Sequence, residues 1–221
     1  MNKLKTIIIA FFLGSLSTVT LADWKAGISA TGASLDATGS EEVFGHPTTH
    51  NQQRSETIEA ILGSVFIEKD TGIAGISLGL DVVPYIIESE KATNVRTDDG
   101  SGGTQDTGTN EVVVDIETPV TLYGSIPLGG DGAYIKVGAS YANLKTKEKT
   151  VTSTAYPDAD LYGGHISLGY EADTGQGFSI RAEAGYSQYT NVTVRSSSNR
   201  TKVHLHSLDG PHARLSIVRA F

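Results

Sequence analysis

Residues 178–188, FSIRAEAGYSQ, separate two chemistries residue by residue. Phe178, Ile180, Ala182, Ala184 and Tyr186 fall on one side of an extended strand, and Ser179, Arg181, Glu183, Gly185 and Ser187 fall on the other. Similar segments recur along the chain, so the sequence reads as an all-β sheet with one apolar and one polar side. A soluble sandwich alternates as well, so the solvent on the apolar side has to be settled by other features.

Two features bear on it. Residues 1–22 carry Lys3 and Lys5, then the apolar run Ile7 to Leu13, then a more polar approach to Ala22. This is the layout of a cleavable signal peptide, too short to cross a bilayer as a helix. Beyond residue 22 no uninterrupted apolar 20-mer occurs, and aromatics, glycine and β-branched residues are spread through short alternating segments. Such dilution is expected of membrane strands that present only every second residue to lipid. Removing Lys3 and Lys5 moves the formal charge from −8 to −10, which argues against a nucleic-acid surface. The chain has no cysteine, hence no disulfide and no cysteine-linked lipid.

Taken in order, the first strand places Trp24, Ala26, Ile28 and Ala30 opposite Lys25, Gly27, Ser29 and Thr31. A polar connection over 35–56 follows. The second strand, 57–68, is ambiguous: Ile58, Ala60, Leu62 and Phe66 share one face, but Ile61, Val65 and Ile67 share the other with Glu59. Phe66 is assigned to the lipid side. After the turn Lys69 to Gly72, strand three (73–85) sets Leu78, Leu80 and Val82 against Ser77, Gly79 and Asp81. The stretch 87–110 is so rich in Asp, Thr, Ser and Gly that it reads as a structureless outer loop.

Strand four puts Val114, Ile116, Val120 and Leu122 opposite Asp115, Glu117, Thr121 and Tyr123, with Pro119 marking a bulge or a poorly paired position. Strand five opposes Ile135, Val137, Ala139 and Tyr141 to Tyr134, Lys136, Gly138 and Ser140. Strand six opposes Tyr162, Ile166, Leu168 and Tyr170 to Gly163, His165, Ser167 and Gly169. Strand seven is 178–188. The last strand sets Ala213, Leu215, Ile217 and Phe221 against His212, Arg214, Ser216 and Val218.

Eight strands put both ends of residues 23–221 on one side, with short turns there and longer polar links on the other. The predicted fold is an antiparallel, eight-stranded, up-and-down transmembrane β-barrel in the bacterial outer membrane. Trp24, Phe66, Tyr170, Phe178 and Phe221 form one expected aromatic girdle, and Tyr141, Tyr162 and Tyr186 the other. The expected polar interior holds Lys25, Asp81, Asp115, Glu117, Lys136, His165, Arg181, Glu183 and Arg214, packed rather than open because eight strands enclose little more than side chains. Arg219 breaks the apolar face near the end, where a guanidinium at the membrane edge can reach headgroups.

These features resemble small outer-membrane proteins of the OmpA-transmembrane-domain and OmpX type. Ala22-Asp23-Trp24-Lys25 and Leu208-Asp209-Gly210 are similar to stretches in compact barrels of marine α-proteobacteria and their phages. The resemblance implies insertion by the barrel assembly machinery, with Leu215, Ile217 and Phe221 as the assembly signal and outer-membrane lipids and lipopolysaccharide as surroundings. Function is then expected to be structural or to lie in surface contacts through 35–56 and 87–110. A narrow polar pore and a small lipid-modifying enzyme are the alternatives. No catalytic site is inferred: His165 near Ser167 or Glu183 lacks the geometry of a triad, and His204 with His206 is an incomplete ligand set. No cofactor is implied.

Overall fold

The computed structural model describes residues 23–43, 52–88, 92–99, 105–130, 132–149, 155–197 and 201–221; the signal-peptide reading of residues 1–22 lies outside them. The strands among the described residues are β1 (Trp24–Val43), β2 (Gln52–Asp70), β3 (Ser77–Val82), β4 (Ile87–Glu88), β5 (Ala92–Asp99), β6 (Gln105–Pro127), β7 (Ala133–Lys149), β8 (Ala159–Gly175), β9 (Phe178–Tyr189), β10 (Val192–Arg195) and β11 (Thr201–Ala220). They run antiparallel in the order β1-β2-β3-β6-β7-β8-β9-β11, and β11 returns to β1, so a ring of eight strands closes with no free edge at its lower end. Among the described residues no helix is long and apolar enough to cross a membrane.

Closure explains how so polar a chain can fold around so little apolar core. The ladders satisfy the backbone, and one face of each strand need not be buried in protein at all. Leu122, Ile166, Leu168, Ile180, Leu215 and Ile217 are among the most exposed apolar side chains, and each alternates with a buried inward neighbour. In water such a surface would aggregate; in hydrocarbon it is matched.

Short turns join β2 to β3, β6 to β7 and β8 to β9. In the second of these Gly132 adopts φ 86°, and a Cβ there would stand 2.2 Å from the Glu171 carbonyl oxygen. Only glycine supplies both the positive φ and the missing atom.

At the opposite end the strands overshoot the membrane. About 9–11 residues suffice to cross it, whereas β1 and β11 have 20 residues and β6 has 23. This corrects the two loop expectations. Residues 35–43 continue β1 and 52–56 begin β2, while 92–99 form β5 and pair with 105–112 of β6. A ladder beyond the membrane is held by backbone hydrogen bonds with water on both faces, so its side chains can be Thr, Asp, Asn and Gln. Composition alone therefore could not distinguish it from a loop.

Three register shifts interrupt the ladders of the described residues; one, between Asp173 and Gly175, sits at the β8–β9 turn, and the other two change which side chains face inward above them. In β6 one occurs between Glu117 and Val120, where Thr118 takes φ 41° beside Pro119. The other lies between Thr38 and Gly39 on β1, opposite β11. An extra residue in one strand reverses the alternation beyond it.

Candidate functional site

The lumen is the candidate site, and it is filled by charge set among rings. Arg181 lies across it. Its two terminal nitrogens donate to Glu68 at 2.8 and 2.9 Å, and its Nε donates to Glu171 at 2.9 Å. Glu171 also accepts from Lys25 at 3.2 Å and from the Ser179 hydroxyl at 2.6 Å. A second group joins Lys136 to Glu183, which also accepts from the Tyr134 hydroxyl at 2.6 Å. Arg214 bridges Asp81 and lies 3.9 Å from Glu183.

Four cations thus face four carboxylates. The side chains of Arg181, Glu68, Lys136 and Glu183 are each only 2% exposed. Isolated charges at such burial would be prohibitive; paired and multiply hydrogen-bonded, they form a rigid cross-brace.

Aromatic rings hold the brace in place. Phe66, Tyr123 and Val218 make the small apolar core. Arg214 and Arg181 sit 5.2 and 5.8 Å from the centre of the Phe66 ring, and the Lys136 ammonium is 4.5 Å from that of Tyr123. Five inward rings each cover the glycine directly opposite on the neighbouring strand: Phe66 on Gly27, Tyr123 on Gly79, Tyr134 on Gly169, His165 on Gly138 and Tyr189 on Gly163. A Cβ at any of these glycines would fall 2.2 to 2.4 Å from a ring atom. The glycines therefore let large rings lie flat along the wall of a narrow barrel.

Below the brace, a cavity of about 270 Å³ opens at the short-turn end, bordered by Lys25, Ser77, Ser125, Tyr134 and Glu171. It stops at Arg181 and Glu68. Above the brace, His212 is hydrogen-bonded to the hydroxyls of Ser167 and Ser187, both at 2.9 Å, with the His165 ring edge-on at 5.9 Å. The histidine contacting Ser167 is therefore His212 rather than His165. Among the described residues no group of three His, Asp or Glu converges on a point as a metal site.

Lys25, Asp81, Lys136, His165, Arg181, Glu183 and Arg214 all face the lumen, and three of the sequence assignments are corrected. Phe66 does not belong to a girdle: it faces inward and is 3% exposed. Its strand alternates Ser64, Phe66 and Glu68 inward against Ile61, Val65 and Ile67 outward, so placing Phe66 in lipid also hid Glu68. The signal was present in the chain, since a lipid-facing Phe66 would have carried the Glu68 carboxylate into lipid with it. Register takes Asp115 and Glu117 out of the lumen, although Asp115 is only 2% exposed, with the Lys147 ammonium laid against it. Above the bulge they share the face of Asn143, which turns outward with Tyr141 to bind Asp160.

There Lys145 pairs with Glu117 at 2.9 Å and Lys147 with Asp115 at 2.6 Å. These pairs lie beyond the upper girdle, and the hydrogen bonds to Glu117 and Asp115 raise the lysine pKa values above the ordinary range. Glu171 and His212 were not singled out either, although both have inward parity. Glu171 sits close to a turn, and His212 next to a proline, positions that alternation marks weakly.

Tyr141, Tyr162, Tyr170, Phe178 and Tyr186 point outward, as do Leu215 and Ile217. Lys69 lies 5.4 Å from the centre of the Trp24 ring, and Arg219 is 5.4 and 5.3 Å from those of Phe178 and Phe221. Two cations therefore rest on rings at the short-turn rim.

No protein-family model matches the chain, and no curated protein matches it in sequence. Solved structures do. The outer membrane protease OmpT of Escherichia coli aligns over 93% of this chain and 99% of its own at 10% identity, with a TM-score of 0.51. The outer membrane protein OprG of Pseudomonas aeruginosa aligns over 89% and 97% at 12% identity (TM-score 0.46). Neisserial surface protein A aligns over 90% and 98% at 6% identity (TM-score 0.45). This chain is an outer-membrane β-barrel. The likeness to solved structures at such identities concerns the fold; the outward apolar band gives the physical reason for the membrane.

Proposed function

We propose that this barrel is a sealed wall element without catalytic activity, whose strands project beyond the membrane to make surface contacts. The observation that carries the reading is the cross-brace. Arg181, held at once by Glu68 and Glu171, lies where a polar solute would have to pass, and Lys136 with Glu183 closes the space beside it. Water and ions would have to break several charge-assisted hydrogen bonds to cross. The extensions supply the surface: the upper parts of β1 and β2, the β5–β6 hairpin and the β10–β11 pair carry Glu42, Lys202, His204 and His206 on hydrated backbone ladders. Leu215, Ile217 and Phe221 serve recognition by the assembly machinery in this reading, and lipopolysaccharide surrounds the upper rim.

Planar-bilayer recording tests the seal. The refolded protein is expected to give no reproducible unitary current, and Arg181→Met to admit one. Stable currents from the unaltered protein, changed by Arg181→Gln, would instead establish the narrow pore. Surface contact is tested by replacing 92–110 with a tight turn: insertion should persist while binding to host-cell or abiotic surfaces falls.

A further inference from the structure

The two cations at the short-turn rim differ from the other cations of the wall. Lys25, Lys136, Arg181 and Arg214 in the lumen each reach a carboxylate, and so do Lys145 and Lys147 above the upper girdle. Lys69 and Arg219 pair with no carboxylate among the described residues; their contacts are the Trp24 ring for Lys69 and the Phe178 and Phe221 rings for Arg219. A ring face attracts a cation but leaves its charge uncompensated. At the edge of the hydrocarbon that charge calls for a counter-ion from outside the protein.

Register puts these residues on one outward face at one height. Lys69 on β2 stands opposite Trp24 on β1, and the Phe221 N–H donates to the Trp24 carbonyl at 3.0 Å. Arg219 on β11 stands opposite Phe178 on β9. Four neighbouring strands thus present a cation, a ring, a ring with a cation, and a ring. The nearby acids do not fill the gap: Asp23 precedes β1, and Asp70 has inward parity and accepts from the Gly72 N–H of its own turn at 2.8 Å.

We propose that this rim binds one anionic phospholipid of the leaflet at the short-turn end, a diphosphatidylglycerol, with Arg219 on one phosphate and Lys69 on the other. Charge selects an anion, because both cations lack a protein counter-ion. Height selects a lipid headgroup, because the aromatic rings mark the interface and the outward apolar band begins directly beyond them. Spacing selects two phosphates: β1 lies between the two cations, so their backbones are about two strand spacings, roughly 10 Å, apart. Held on separate rings, they address two phosphates on one glycerol more readily than a single one. The guanidinium fork can take two oxygens of its phosphate, and the ammonium acts as a point charge on the other.

Trp24, the one tryptophan of the chain, lies inside the site and reports on the lipid beside it. The refolded full chain is placed in phosphatidylcholine vesicles holding increasing fractions of a lipid brominated on its acyl chains, which quenches tryptophan at contact. Both leaflets carry the same mixture, so the direction of insertion does not matter. Brominated diphosphatidylglycerol is expected to reach half-quenching at a mole fraction about tenfold below that of brominated phosphatidylcholine, since each cation near an anionic lipid contributes about a fivefold factor. Lys69→Gln combined with Arg219→Gln should erase that difference, each protein being read against its own emission in unbrominated lipid. Equal half-quenching by the two lipids overturns the proposal and leaves the cations to a protein partner at this rim. A preference that the double variant keeps overturns it as well. Brominated phosphatidylglycerol matching diphosphatidylglycerol phosphate for phosphate overturns the two-phosphate occupant. If heat-modifiable gel migration shows that the double variant fails to fold, Lys69→Gln alone must reduce the preference, and an undiminished one refutes the site. None of these outcomes touches the seal, which the conductance measurement tests separately.

Discussion

Replacing Arg181 with methionine removes the hub of the cross-brace while keeping most of its volume. Among the described residues Glu68, 2% exposed, then keeps the Tyr123 hydroxyl at 3.2 Å as its side-chain hydrogen-bond donor, and Glu171 falls back on Lys25 and Ser179. Leaving one member of a buried ion pair uncompensated costs about 3–5 kcal/mol. Glu68→Leu should cost less, about 2 kcal/mol, because Arg181 keeps Glu171 and loses two charge-assisted hydrogen bonds. The double substitution should recover most of the loss, to within about 1 kcal/mol of the unaltered protein, since it replaces both charges with apolar volume. Urea titration of the refolded barrel in phospholipid vesicles reads these differences through Trp24, the one tryptophan. A cost below about 1 kcal/mol for Arg181→Met, or a double variant less stable than that single one, would refute the view that the pair is locked in a dry lumen.

Other expectations follow from the same packing. Gly27→Val drives a Cβ to within 2.4 Å of the Phe66 ring and 2.5 Å of the Ile217 carbonyl, so it should lower the urea midpoint by an amount equivalent to about 1–3 kcal/mol. Gly32→Ala, with nothing within 4 Å of the new atom, should leave that midpoint nearly unchanged. Phe66→Ala opens a hole among protein atoms and should cost about 3–5 kcal/mol. Phe178→Ala, on the outer face, should cost less because lipid fills the space; equal losses would return Phe66 to the lipid face. Tyr141→Phe removes a 2.8 Å hydrogen bond to Asp160 at the upper girdle and should shift stability by no more than about 1 kcal/mol in the same titration.

Much of the barrel could be read along the chain. Residues 178–188 alternate without interruption, and β9 is found at 178–189 with Ser179, Arg181 and Glu183 buried and Ile180, Ala182 and Ala184 exposed. Lys136, Arg181, Glu183 and Arg214 stand out for the same reason: each is a charge in the polar phase of a strand whose other phase is apolar. Pro119 announced the irregularity that interrupts β6. What alternation cannot supply is the absolute phase of a strand with apolar residues on both faces. Residues 58–67 are such a strand, so alternation alone leaves the side of Phe66, and with it that of Glu68, undetermined.

By itself, then, the chain determined that its strands are two-sided, that they turn at Gly-rich corners, and which side chains share a face within each uninterrupted run. The period-two geometry of an extended backbone is local, and it is written in every second residue. Only the closed ring decided how those runs combine. Strand register brought Glu68 to Arg181 from 113 residues away, a one-residue bulge turned Asp115 and Glu117 outward while Ile116 turned in, and β3 kept only six residues on β2 before the chain moved on along β6. Those outcomes depend on pairing between distant segments, where one extra residue reverses every side chain beyond it.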